Sequence, residues 1–503
     1  MQAVPNITSQ LTSQYATQLE SLCSRVSPEP IENAELVLTN LNLAKELGLS
    51  EDFLNQDKLF ALLFEQQDKR QLNSIAQKYG GHQFGQWNPQ LGDGRGLLLG
   101  EVKTKRGDLV DLHLKGAGNT PYSRFADGRA VLRSTIREYI ASEALHHLGI
   151  PSSRALCLIK SQEPVMREQL ETAAMMIRTC PSHIRFGHFE YYHHSNQPDK
   201  LDALFEFCFQ HHFKHLQENA SPYRALLAEI TTKTAVLIAK WQAFGFNHGV
   251  MNTDNMSIHG ITFDYGPYAF LDDFIPNYIC NKSDHSGRYA FDNQPSIGLW
   301  NLNALAHGFS SKLEIEELRQ VLSTYEPTFL QAYQNIMHQR LGIFVRQSEN
   351  SAQLIDRFIK ILRDEFADYN LSFYHLSEEF CHIIEGKPDR FKAYFKQQSE
   401  IQQWCEDFAK LIQEDMRYAK TMEIEGLQNC SDIQQKLLTI NPRYVLRNHH
   451  LQNAIEAAQN GDFSVCEGLL KVVTAPFTLN PKWDQFFHPP SELEKGIALS
   501  CSS

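Results

Sequence analysis

The spacing of apolar and polar residues changes along this chain, and the changes divide it. Residues 1–75 are polar and read as helical, with closely spaced leucines in LVLTNLNLAKELGL (36–49) and an apolar cluster at Phe53–Phe64. Glycine then becomes dense from Lys78 to Val102, KYGGHQFGQWNPQLGDGRGLLLGEV. GLLLGEVKT and DLVDLHLKG, separated by Lys105-Arg106-Gly107, predict two short strands and a hairpin. A loop, GAGNTPYSRFADGRA, leads to a helical stretch, VLRSTIREYIASEALHHLG, closed by Gly149 and Pro151. Two more apolar runs follow, RALCLIK and AAMMIRTC. From about Lys200 the pattern is mostly helical: residues 224–246 form one long helix, followed by a loop carrying HGVMNTDNM. MSIHG and ITFDYG predict a short strand pair, and residues 311–475 are again helical, broken at Gly386–Pro388 and Asn441-Pro442. Strands and one helix come first and a mainly helical half second, which predicts an α+β fold in two lobes with a cleft between them. The expected division is a helical extension (1–75), a nucleotide-binding lobe (76–200), a mainly helical lobe (201–475) and a tail (476–503).

Composition narrows the class. With 42% hydrophobic residues in 503, the chain is too apolar to be disordered and long enough to bury a sizeable core. A balance of 47 basic to 59 acidic residues, −12 overall, argues against a nucleic-acid partner while allowing a local basic pocket. No apolar run approaches the roughly 18 residues of a membrane span. The first thirty residues have neither a basic n-region nor an apolar h-region, so a cytoplasmic protein is expected. The ten cysteines include no C-x-x-C pair, which predicts mostly buried thiols and no zinc ribbon or disulfide framework.

Four constellations carry candidate chemistry. Leu91-Gly92-Asp93-Gly94-Arg95-Gly96 places three glycines at alternate positions ahead of a strand, where backbone N–H groups can approach phosphates; D-G is equally a turn signal. Lys115 ends the next strand as a candidate phosphate-neutralising cation, and either Glu138 or Glu143 on the following helix could orient it. His248-Gly249-Val250-Met251-Asn252-Thr253-Asp254-Asn255, then Asp264-Tyr265-Gly266, offers Asn255 and Asp264 as oxygen ligands for a Mg²⁺ that bridges nucleotide phosphates. Arg178 and Arg185, with His183, Phe186 and Gly187 nearby, are spaced to clamp phosphate oxygens, and Tyr122–Arg129 is a further candidate for the cleft wall.

The order of loop, lysine, helix carboxylate, H-x-x-x-x-x-x-N and D-x-G looks like a protein-kinase-type nucleotide cleft. Two departures stand out. Where kinases place the proton-accepting aspartate there is Val250, and the only nearby carboxylate is Asp254. Asp93 in the glycine loop would repel a γ-phosphate lying beneath it. Both predict that the nucleotide sits differently and that another phosphorus is attacked.

The stretches YGGHQFGQWNPQLGDGRG, LKGAGNTPYSRFADGRAVLRSTIREY, SHIRFGHFE and HGVMNTDNMSIHGITFDYGPYAFLDDF resemble the selenoprotein O (YdiU-type) family of protein adenylyltransferases. NPRYVLRN (441–448) and the terminal Ser500-Cys501-Ser502-Ser503 agree as well, so the resemblance runs from about residue 70 to the end. It implies a protein-kinase-like pseudokinase fold that binds ATP in a flipped orientation and transfers AMP to Ser, Thr or Tyr hydroxyls of client proteins, or UMP from UTP, with Mg²⁺ or Mn²⁺. By motif it implies nucleotide contacts from Gly92, Gly94, Arg95, Lys115, Asp127, Gly128, Arg178, Arg185 and Asp264, and metal ligation by Asn255 and Asp264. Glu138 would pair with Lys115, Asp254 would accept the proton, and Cys280 and Cys501 would form a redox-sensitive disulfide. The competing readings are an ATP-dependent phosphotransferase and a catalytically inactive ATP-binding scaffold.

Overall fold

In the computed structural model, which describes residues 7–65, 72–497 and 499, nine strands form one antiparallel sheet. They are β1 (Cys23–Arg25), β2 (Glu35–Thr39), β3 (Ile75–Gln83), β4 (Gln86–Gly92), β5 (Gly96–Lys103), β6 (Leu109–Lys115), β7 (Ala130–Val131), β8 (Arg154–Met166) and β9 (Leu170–Cys180). The order across the sheet is β1-β3-β5-β6-β9-β8-β2, with β4 paired to β3 and β7 to β9. The N-terminal region, which reads as helical, supplies both end strands of this path as well as α1 (Gln14–Gln18), α2 (Leu41–Leu47) and α3 (Gln56–Phe64). Leu36 to Leu49 is therefore half strand and half helix, because the apolar stretch before Asn40 pairs with β8 while Asn40 caps α2 by accepting from the Leu43 N–H.

Strand alternation assigns the two faces of the sheet. On β6, Leu112 and Leu114 join Leu97, Leu99, Ile159 and Ile177 in a core beneath the N-terminal helices. Asp111, His113 and Lys115 consequently occupy the opposite face of the same strand, where the register sets His113 beside Arg178. That face is covered by α4 (Leu132–His147), which is buried on nearly every side. A helix packed all round can carry charge only in partnered form, which constrains its glutamates.

After β9 the chain is mostly helical: α5 (Phe186–His194), α6 (Pro198–His211), α7 (Pro222–Phe244), α8 (Gln294–His307) and ten more helices between Ile315 and Val473 among the described residues. The fold is mixed α and β, with a large antiparallel sheet followed by helices. Helix α7 ends at Gly245 in the left-handed conformation. A two-stranded ribbon, Phe246–Asn247 against Ala269–Phe270, then pins the ends of the loop 248–268. The predicted pairing of MSIHG with ITFDYG does not form. Ser257 bridges to Arg185 and Thr262 to Ser152. Each segment satisfies its backbone against the chain from the sheet region, so the loop is held open by outward partners.

Candidate functional site

The site lies where β3, β6, β9 and α4 meet the loop 248–268. Lys115, at the end of β6, forms a buried ion pair with Glu138 of α4. The other Glu138 oxygen accepts from Arg178 Nη1 at 3.0 Å. Glu143, one turn along, pairs with Arg154 at 2.7 and 2.8 Å, so the two candidate glutamates have different partners. Burial works against ionisation of Glu138, but Lys115 and Arg178 outweigh it and hold the carboxyl below its ordinary range.

Asp264 is the hub. Arg178 and Arg185 each donate to one of its oxygens. Its backbone sits at φ 57°, a left-handed conformation that costs a non-glycine residue about 1 kcal/mol or more and that the two guanidinium groups hold in place. Burial again opposes the charge, yet Arg178 and Arg185 hold the carboxyl well below the usual carboxylate range. The side chain keeps 22% exposure, so it is open to a ligand. Arg185 is stacked between the Tyr79 and Phe263 rings, each 4.6 Å from its centre. Its Nη1 also donates to the Asp254 carbonyl at 2.8 Å, and its Nη2 is buried without a partner.

Asp254 is placed differently. It lies in a single 3₁₀ turn, Thr253–Asn255, with Oδ2 accepting from Gln83 Nε2 at 3.2 Å and Oδ1 buried without a partner. Burial, partly opposed by Arg185, pushes its carboxyl up to about 7. The turn is tied to the end of β3 and the residue after it: the His82 N–H donates to Thr253 Oγ1 at 2.7 Å, and the Phe84 N–H to Asn252 Oδ1 at 3.2 Å. Gly81 gives the carboxylate room, since a Cβ there would lie 2.9 Å from Asp254 Oδ1. Val250 is buried in the same loop. Asn255 donates its amide to the Val250 carbonyl at 3.0 Å, which leaves its side-chain oxygen uncommitted among the described residues. An uncommitted amide oxygen and an ionised, partly exposed aspartate on the same loop are donors of the kind that suits a hard divalent cation.

The glycine loop forms the turn from β4 to β5. Gly92 and Gly94 are pressed against Tyr122, where Cβ atoms would come within 2.6 Å of its ring and 2.9 Å of its carbonyl. Arg95 is exposed. Asp93 does not point at a phosphate. Its carboxylate turns into the protein, accepting from the Gln77 N–H at 2.9 Å and Tyr79 Oη at 3.3 Å, with His113 Nε2 3.5 Å away. A buried aspartate with those partners anchors the turn, with its carboxylate facing inward. Asp127 lies at the surface in a fork with Arg167, at 2.7 and 2.9 Å, and Gly128 packs against Gly118. Cys280 is buried, with Sγ 3.7 Å from the Asn247 carbonyl, while Cys501 lies outside the described residues.

The sequence pattern misses Gln83, the Tyr79 and Phe263 stack, and the role of Thr253. Gln83 and Tyr79 belong to the stretch that reads only as glycine-rich, although Ile75–Gln83 is a strand. A second cluster on the sheet, Asp111, Cys180 and His183, has nitrogen and sulfur donors unlike those preferred by Mg²⁺. Its Asp111 already accepts from His183 at 2.7 Å (N–H) and 3.1 Å (Nδ1).

Lys115, Arg95, Arg178 and Arg185 stand against Glu138, Asp264, Asp93 and Asp254, four basic groups to four acidic ones, so the site is richer in positive charge than the chain of −12 as a whole. The arrangement can therefore hold polyanionic phosphate beside a carboxylate ready to take a proton. A family model described as Protein adenylyltransferase SelO matches residues 5–474. A Pseudoalteromonas atlantica protein named Protein nucleotidyltransferase YdiU is 51% identical over 493 residues, covering 98% of this chain and all of that protein. Proteins of the same name from Pseudomonas fluorescens and Yersinia pestis are 44% and 42% identical, covering 100% and 97% of both chains. The chain belongs to the SelO family of protein adenylyltransferases.

Proposed function

We propose that this chain transfers AMP from ATP to Ser, Thr or Tyr hydroxyls of client proteins and releases pyrophosphate. The observation that carries the reading is Asp254: with Val250 in the kinase position, it is the loop's proton-accepting carboxylate, poised near neutrality with one oxygen unpartnered. The client hydroxyl gives its proton to the Asp254 carboxylate as its oxygen bonds to the α-phosphorus, and the bond from that phosphorus to the bridging oxygen breaks. Lys115, Arg178 and Arg185 balance the charge that develops on the departing pyrophosphate. Gly92, Gly94, Arg95, Asp127 and Gly128 complete the nucleotide contacts, and Glu138 keeps Lys115 in place. Asn255 and Asp264 would hold Mg²⁺ or Mn²⁺, which when bound supplies charge neutralisation at the phosphates.

The sheet region and the helical region, with the site at their junction, correspond in this reading to the two lobes of a kinase-like fold, residues 76–200 and 201–475, flanked by the N-terminal extension and the tail. The tail is also read as a redox element in which Cys280 and Cys501 form a disulfide. Support comes from Leu499, which bridges to Asn281 and accepts from the Lys282 N–H at 2.9 Å, so the chain two residues before Cys501 runs beside Cys280.

Parallel incubation with α-labelled and γ-labelled ATP tests the transfer. Label should reach protein only from the α position, and label arriving only from the γ position would make the chain a kinase. Asp254→Asn should cut the rate by about 10²–10⁴-fold with nucleotide binding retained. Oxidised wild type should migrate differently from Cys501→Ser on a non-reducing gel; identical migration would remove the disulfide.

A further inference from the structure

The turn that carries Asp254 is roofed by the tip of the β3–β4 hairpin, and one charged side chain beside that tip has no role in the chemistry above. Arg288 lies in the segment between Cys280 and α8. Its guanidinium is centred 4.7 Å over the Trp300 ring, and Trp300 in turn meets His82 edge-on at 5.2 Å. Gly85 allows the close approach: at φ 82°, a Cβ there would lie 3.2 Å from Arg288 Cζ. The neighbouring Tyr289 hydroxyl donates to Asn252 Oδ1 at 2.7 Å and accepts from the Phe84 N–H at 2.9 Å, which locks the segment to the turn that bears Asp254.

Arg288 is held but not neutralised. It forms no ion pair among the described residues, and its Nε is buried without a hydrogen-bond partner. Of the two acids four residues away, Asp284 is committed to the backbone N–H groups of Arg288 and Tyr289 at 3.0 and 2.7 Å and to Ser286 Oγ at 3.4 Å, and Asp292 forms no ion pair among the described residues. Arg137 and Arg340 also stack on aromatic rings without a carboxylate, but both are buried and donate to backbone carbonyls, whereas Arg288 is partly exposed. A planar fork stacked in this way is already ordered for bidentate recognition of a carboxylate, so little entropy is lost on binding.

From this placement, and resting on the transfer reading above, we infer that Arg288 is a specificity-determining residue that binds an Asp or Glu side chain of the client close to its acceptor hydroxyl. Gln83, which contacts Asp254, and Gly85, which packs on Arg288, are separated only by Phe84 in the turn of one hairpin, so the carboxylate and the guanidinium flank the same tip within reach of a short client segment. The favoured client sequence therefore carries its acid two or three positions from the modified hydroxyl, and the wall formed by Phe84, Trp87 and Trp300 flanks it.

The test uses the full chain, α-labelled ATP and three sets of acceptor peptides that differ only in carrying Glu, Ala or Lys two or three residues from a single Ser, Thr or Tyr. Wild type should favour Glu over Ala by about tenfold in kcat/KM, mainly through KM, and disfavour Lys. Arg288→Gln should bring the Glu and Ala peptides to within about twofold, and Arg288→Glu should invert the order in favour of Lys. Label on the peptides with a Glu-to-Ala ratio unchanged by either substitution would overturn the role of Arg288 alone. No label on any peptide from wild type would overturn the transfer reading together with this inference.

Discussion

Replacing Asp264 by alanine separates what that residue does for folding from what it does for chemistry. Its two oxygens are the carboxylate partners of Arg178 and Arg185, both almost fully buried. Arg178 keeps Glu138 when Asp264 is lost, whereas Arg185 keeps only two carbonyls and two aromatic faces. Removing one partner of a buried pair costs about 3–5 kcal/mol, because the remaining charge is left without compensation. Alanine at φ 57° is also less at ease than aspartate, so the upper half of that range is expected for Asp264→Ala. Asp264→Asn keeps the backbone preference and one acceptor and should lose about half as much. Arg185→Met in the Asp264→Ala background removes the stranded cation and should recover about 1–2 kcal/mol. Urea unfolding followed by tryptophan fluorescence, with the wild-type slope applied to wild type, these variants and Arg185→Met alone, reads these differences as midpoint shifts. A midpoint for Asp264→Ala equivalent to a change of less than about 0.5 kcal/mol would refute the hub assignment. So would an Arg185→Met substitution whose cost is the same with and without Asp264.

Gly81→Ala should lower the transfer rate at least tenfold while leaving ATP affinity near wild type, because its Cβ would fall 2.9 Å from Asp254 Oδ1 and push the base aside; stopped-time transfer assays with a parallel nucleotide titration check this. His248 is buried, accepts from the Val250 N–H at 3.4 Å through Nδ1 and donates through Nε2 to the Phe263 carbonyl at 3.2 Å, and burial lowers its pKa to about 4. Its folded value is depressed, so its contribution is fully present above the unfolded value near 6.5 and is lost as pH falls from there towards 4. Between pH 6.5 and 5 wild type should lose about 1.5 kcal/mol more stability than His248→Gln, measured by urea midpoints; equal slopes would remove the assignment.

Much of this architecture is legible in the residues, and the failures have physical causes. The β5–β6 hairpin, α4 and α7 follow from local pattern because their apolar runs are continuous and their ends carry glycine or proline. The end strands β1 and β2 are not legible, since three to five residues that pair only along one edge leave too short a period to distinguish from a helix. The split between Glu138 and Glu143 cannot be read from helical spacing, because α4 is buried all round and both glutamates find arginines; the partner strand decides. The orientation of Asp93 is illegible for a related reason. Its charge suggests a repulsive contact at the loop surface, but the register of β3 brings the Gln77 N–H and Tyr79 Oη beneath it and turns the carboxylate inward.

Where Asp254, the proposed base, is anchored bears on how the site is controlled. In the kinase pattern the proton-accepting aspartate stands two positions after the histidine; here Asp254 stands six positions after His248, and its supports come from the opposite side. Gln83, His82 and Phe84, all at the end of the β3–β4 hairpin, hold the turn Asn252–Asp254 through three hydrogen bonds of 2.7–3.2 Å. Asp264 is likewise gripped from the sheet region by Arg178 and from the connection to α5 by Arg185. Both carboxylates of the loop after α7 thus take their positions from chain that precedes α5. Any shift of the sheet region relative to that loop must break the Gln83 contact and the Asp264 pairs together, since they share the same two bodies. The cooperative unit is larger than the loop, and substitutions at the hairpin tip should couple energetically to Arg178 and Arg185 although they touch neither. A double-mutant cycle between Gln83→Ala and Arg178→Met measures that coupling in the transfer rate, and additivity within about 0.3 kcal/mol would show that the two supports act independently.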